Sequence, residues 1–117
     1  MVIKKFIQNT AEYPWLDWIE VGKKKYEGRL CKEDWSKLKV GAKIVFSVKD
    51  SNRAPVTVNV TELKYYDDFG LAFDDLGQEL IPISGITREK VIELYSEFFS
   101  DDDVKKYKVV AVGVAVC

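Results

Sequence analysis

The densest run of chemically capable side chains is Gly22-Lys23-Lys24-Lys25-Tyr26-Glu27-Gly28-Arg29-Leu30. Three lysines, a carboxylate and a guanidinium follow a glycine fit to stop a helix. If the chain is extended from Tyr26, then Tyr26, Gly28 and Leu30 share one face, and Glu27 and Arg29 share the other. Arg29 offers a planar fork for phosphate, carboxylate or a base edge. Glu27 can accept from an exocyclic amine or act as a general base, and Lys24 can stabilise an anion. Lys24 and Glu27 meet only if the chain turns near Lys24-Lys25, which Gly22 and Gly28 permit. Gly28 marks a bulge or a close approach by ligand or backbone. The same residues also suit an exposed charged edge, with Glu27 paired to Arg29 and the lysines in water.

What the chain lacks narrows the chemistry further. It has no histidine, so a Ser-His-Asp triad, a Cys-His pair and a histidine metal site are excluded. Two cysteines, Cys31 and Cys117, form no disulfide framework and are expected to be reduced in a cytoplasmic protein. Without histidine they argue against zinc, and nothing asks for another cofactor or metal. The N-terminus has no apolar core with a cleavage site, and no uncharged run is long enough to cross a bilayer. A membrane partner is therefore not expected.

The 117 residues fit one domain, residues 1–117, with no internal repeat or linker. Net charge is −1, but it is unevenly spread. Residues 1–53 carry 12 Lys/Arg against 7 Asp/Glu, and residues 54–117 carry 6 against 12. A basic front can present a positive surface to phosphate, unless the two halves interleave and cancel.

The elements that must position the signature read as α+β. Strands are expected at Val2–Gln8, from about Tyr26, at Lys43–Val48, at Ala54–Tyr66 and at Tyr107–Val116. Val56, Val58 and Val60 alternate with Thr57, Asn59 and Thr61, a half-buried strand. Turn residues Asp50–Arg53 should make it a hairpin with its predecessor. Helices are expected at Ala11–Val21, as a short turn at Glu33–Leu38, from an Asp67 cap to Leu76, and from a Thr87 cap to Phe99. The last should bury Val91, Leu94, Tyr95 and Phe98, with Asp101–Asp103 as an exposed turn at its end. Short mixed strands with irregular connections favour a small curved sheet or barrel. Trp15 and Trp18 suit core packing or base stacking, and one of Tyr65 and Tyr66 should face inward.

The segment Gly22 to Arg29 resembles the Gly-x-Lys-x-x-Glu-x-Arg signature of the ASCH (activating signal cointegrator homology) family, a PUA-like group. Leu38-Lys39-Val40-Gly41-Ala42-Lys43-Ile44-Val45-Phe46, Tyr65-Tyr66-Asp67-Asp68-Phe69, and Tyr95 to Phe99 followed by Tyr107 to Val112 are similar to later family segments, in order. Ala42 stands where the family usually has Asp. The resemblance implies a small PUA-like β-barrel of about five to six mixed strands with flanking helices. It also implies a cleft near the signature for RNA or a modified nucleoside or nucleotide, with Lys24, Tyr26, Glu27, Arg29 and Glu79 as ligand-binding candidates. Some small members of the family hydrolyse N4-acetylcytidine with a Lys, a Thr and a Glu. Lys24 matches the first, Glu27 stands at the Thr position, and Glu79 is the candidate for the third. Three readings follow: a binding module; a deacylase of an N4-acylated cytidine-type nucleoside, with Glu27 as general base and Lys24 as electrophile; and an interaction domain using the acidic second half. The binding module stands first, because the hydroxyl nucleophile is replaced by Glu27. No motif sets an oligomeric state. Gly28→Val is expected to be more damaging than Gly113→Ala.

Overall fold

The computed structural model describes residues 1–117. Five strands form one mixed sheet: β1 (Val2–Phe6), β2 (Tyr26–Leu30), β3 (Lys43–Ser47), β4 (Val56–Tyr66) and β5 (Val109–Val116), in the order β1-β3-β4-β5-β2. β1 runs parallel to β3 and every other pairing is antiparallel. The sheet curls into a half-barrel, and its two edges approach closely enough for Arg29 Nη2 on β2 to donate to the Phe6 carbonyl on β1 at 3.0 Å. The expected α+β fold, a small curved sheet of mixed strands with flanking helices, is thereby realised with five strands.

β5 lies inside the sheet, between β4 and β2, and its composition follows from that place. Val109, Val110, Ala111 and Val112 are all fully buried, on both faces, as expected for a continuous apolar run between two neighbours. β4 keeps the predicted alternation, with Val56, Val58 and Val60 inward. Its pairing with β5 shifts register between Val60 and Glu62, a bulge that places Thr61 outside the ladder. Gly113 sits opposite this bulge. A Cβ there would lie 2.8 Å from Thr61 Oγ1 and 3.2 Å from the Glu62 backbone nitrogen. Gly113→Ala is thus poorly accommodated. Gly28 lies in unbroken register with Ala111, and its Cβ position faces the Tyr95 hydroxyl at 3.0 Å. It serves close approach, not a bulge.

The helices are α1 (Trp15–Glu20), α2 (Asp34–Lys37), α3 (Phe69–Leu76), α4 (Arg88–Ser96) and α5 (Asp101–Tyr107), with a 3₁₀ turn at Gly77–Glu79. α1 is shorter than expected. Asn9 Oδ1 accepts from the Leu16 and Asp17 amides, so the chain from Ala11 to Pro14 stays irregular before the first turn. α3 is capped by Asp68, whose side chain accepts from the Leu71 amide, and not by Asp67. Thr87 caps α4 as expected. Asp101–Asp103 form the first turn of α5, capped by Ser100, where carboxylates complement the helix dipole. This also moves Tyr107 out of the last strand and into α5. Phe98, expected inside, is 44% exposed, because α4 ends at Ser96 and frees the following residues from its buried stripe. Tyr65 is exposed and Tyr66 half-buried. No helix is long and apolar enough to cross a membrane.

Candidate functional site

The turn that brings Lys24 to Glu27 begins at Gly22, which adopts φ +81°. The amides of Lys23 and Lys24 both donate back to the Trp18 carbonyl, which folds the chain against the end of α1. The Lys25 amide then donates to the Glu79 carbonyl, and the Lys25 carbonyl accepts from Val114. Lys24 is thereby held with its side chain inside the protein, only 2% exposed. Its Nζ donates to the Leu80 carbonyl at 2.5 Å, lies 3.6 Å from Glu27 Oε1, and sits 5.3 Å from the centre of the Trp15 ring.

Glu27 is also buried, at 7% exposure. Its Oε2 accepts from Arg29 Nε at 3.1 Å and Nη2 at 2.9 Å. Arg29 continues to the Phe6 carbonyl and lies over the Trp35 ring, 4.8 Å from its centre. One carboxylate therefore joins two cations, and the guanidinium ties together the two sheet edges. A buried charge survives only when paired in this way. Burial pushes the Lys24 ammonium down to about 8, and the Glu27 carboxylate works against that shift.

Lys24, Glu27 and Arg29 converge on a cleft of about 680 Å³. Its walls come from the end of β1 and the residues after it, from β2, from the end of β3, and from α4 with the aromatic pair beyond it. Five aromatic rings line it: Phe6, Trp15, Tyr95, Phe98 and Phe99. Phe6 and Phe98 are 60% and 44% exposed, so two aromatic faces at this cleft are open to a ligand. Tyr95 is buried and stacks on Phe69 with ring centres 3.9 Å apart. Its hydroxyl has no protein hydrogen-bond partner. Burial, reinforced by the nearby Glu27 carboxylate, pushes that hydroxyl well above the ordinary tyrosine range, so it remains a donor.

Tyr26 and Glu79 are not brought to this cleft. Both line a second groove of about 450 Å³ with Lys25, on the other side of the turn that carries Lys24 inward. The Glu79 carboxylate faces Lys25 Nζ at 3.7 Å and is half exposed, while its backbone carbonyl holds the turn. Burial and the Glu62 carboxylate raise the Tyr26 hydroxyl above its usual range. Sequence reasoning placed Tyr95 and Phe98 in the core and did not single out Phe6 or the Leu80 carbonyl. The consecutive Phe98-Phe99 was the available signal, since the stripe of Val91, Leu94, Tyr95 and Phe98 leaves Phe99 without a place on it. Trp15 turns out to be both core and cleft wall. No group of three or more Cys, Asp or Glu side chains is placed to hold a metal ion.

Comparison with known proteins agrees with this fold. Residues 10–115 match the profile of the ASCH domain. The crystal structure of the hypothetical protein PH0355 superposes with a TM-score of 0.84 at 28% identity, covering 100% of both chains. The solution structure of protein PF0455 from Pyrococcus furiosus gives a TM-score of 0.76 at 28% identity, covering 99% of this chain and 97% of that one. ASCH from Zymomonas mobilis shares the fold, with a TM-score of 0.60 at 17% identity over 97% of this chain and 65% of that one. No curated protein matches the sequence.

Proposed function

The chain belongs to the ASCH domain family, and from that premise we propose that its aromatic cleft binds RNA or a modified nucleoside or nucleotide. The observation that carries this reading is the Lys24-Glu27-Arg29 triad on the floor of a cleft rimmed by the exposed rings of Phe6 and Phe98. Exposed aromatics such as Phe6 and Phe98 give a base a stacking surface. An ammonium has three donors; one meets Leu80 and one points to Glu27, leaving a third for a ligand oxygen or ring nitrogen. Glu27 Oε1 is free of Arg29 and can accept from a base amine. The free cysteines suit a cytoplasmic setting for this activity. Tyr26 and Glu79, across the turn, would contribute by fixing Lys25 and the Lys24 turn rather than by touching the ligand.

The rival reading is deacylation of an N4-acylated cytidine-type nucleoside, with Glu27 as general base and Lys24 as electrophilic partner. The ammonium pushed down to about 8 favours it, because such a group can both polarise a carbonyl and give up a proton. Against it, both oxygens of Glu27 face cations, so neither is set to take a proton from water.

Calorimetric titration with a short single-stranded RNA and with each ribonucleoside monophosphate tests the proposal, alongside acetate release from N4-acetylcytidine. Binding without turnover is expected. Affinity should fall as pH rises through about 8, because the Lys24 ammonium loses its proton there. Acetate release that disappears in Glu27→Gln would put the deacylase first. Absence of any binding would remove the proposal.

A further inference from the structure

Two aromatic rings each have two cations close to their centres. Lys5 Nζ and the Arg29 guanidinium lie 5.6 Å and 4.8 Å from the centre of the Trp35 ring. Lys32 and Lys106 both place Nζ 5.1 Å from the centre of the Tyr107 ring. The two groups are linked through the chain. Arg29 and Lys32 are three residues apart, no more than about 11 Å between Cα atoms. The Cys31 amide donates to the Lys108 carbonyl, which locks the end of β2 beside Tyr107. Lys5 is balanced by Asp34 at 3.0 Å, and Arg29 by Glu27. Lys32 and Lys106 have no carboxylate within ion-pair distance.

Like charges brought to one ring repel, and the ring compensates only in part. The dipole of α5 accounts for lysines in its last turn. It does not account for Lys32, which arrives from the end of β2 and shares the ring of Tyr107 with Lys106. An anion bound beside them would neutralise two ammonium groups that have no carboxylate partner. The strip also starts at Arg29, on the cleft floor.

Building on the nucleotide-binding reading, we propose that this strip carries the phosphates of a single RNA strand that leaves the cleft past Arg29 toward Lys32 and Lys106. The ligand is then an oligonucleotide with one nucleotide inserted in the cleft, not a free nucleoside. An acidic peptide would also answer to the charge. RNA fits better because the strip is continuous with a cavity rimmed by rings that stack bases.

The test is a titration of the wild-type protein and the double variant Lys32→Ala/Lys106→Ala with an RNA octamer, with each ribonucleoside monophosphate and with octaglutamate. Both lysines are outside the core, so the variant should melt with the wild type. In the wild type the octamer should bind at least about tenfold more tightly than any monophosphate at low salt. The double variant should lose that advantage, and the slope of log affinity against log salt should fall by about 1.4 for two lost phosphate contacts. Monophosphate affinity should not change. An octamer no tighter than a monophosphate, an unchanged octamer affinity in the variant, or octaglutamate binding more tightly than RNA would each overturn the strip as an RNA track. Those outcomes leave monophosphate binding intact. A wild type that binds neither the octamer nor any monophosphate would instead overturn the reading of the cleft.

Discussion

Glu27→Ala lowers the stability of the protein by about 3–5 kcal/mol, the cost of leaving a buried charge without its partner. Lys24 and Glu27 are both nearly inaccessible to water, and Glu27 is the only carboxylate within 4 Å of the Lys24 ammonium. The loss also frees Arg29 Nε, whose hydrogen bond ends on Glu27. Glu27→Gln costs less, because its amide oxygen still accepts from Arg29. The decisive comparison is a second-site change. Lys24→Met/Glu27→Ala should be more stable than Glu27→Ala alone, since it removes the stranded ammonium along with its partner. Chemical denaturation of the three variants measures this. A double variant no more stable than Glu27→Ala would mean that the carboxylate serves Arg29 and the sheet edges alone.

Tyr95→Phe moves stability and binding in opposite directions. The ring keeps its stack on Phe69 and its place against Gly28, so packing is preserved. The hydroxyl that is removed is buried and has no protein partner, and its loss should raise stability by about 1 kcal/mol. If that hydroxyl donates to the ligand, affinity should fall about tenfold, the worth of one hydrogen bond. A melting curve and a titration on the same sample check both. A variant that is more stable and binds RNA as well as the wild type would show that the hydroxyl takes no part in the cleft.

Much of this arrangement was legible in the residues, for identifiable reasons. The alternation from Val56 to Val60 and the apolar run of β5 specify buried strand faces in any fold. The glycine after α1 announced the turn that Lys24 needs, and the charges of Glu27 and Arg29 on one strand face announced their pairing. What escaped depended on contacts distant in sequence. Asn9 caps α1 from six residues before its first turn, and this shortened the helix. The bulge opposite Gly113 comes from a register shift between β4 and β5, which no local pattern records. Asp68 and Asp67 are chemically equivalent as caps, and only the backbone distinguishes them. Tyr26 and Glu79 carry the right chemistry for the cleft, yet a single inward turn at Lys24 leaves them on its other side. Phe98 has a core composition and a rim position, because α4 ends two residues before it.

The central claim is that the buried triad exists to hold a nucleic-acid ligand in the cleft, and Lys24→Met addresses it most directly. Methionine matches the length of the lysine stem and suits an apolar channel, and Glu27 remains held by Arg29. The variant should therefore fold, with stability lowered by about 1–3 kcal/mol because the buried Leu80 carbonyl loses its donor. Calorimetric titration of both proteins with the RNA octamer at low salt and pH 7 should then show affinity reduced about 10- to 100-fold in Lys24→Met, as expected for losing a hydrogen bond from a charged donor. A folded Lys24→Met that binds the octamer as tightly as the wild type would contradict the account.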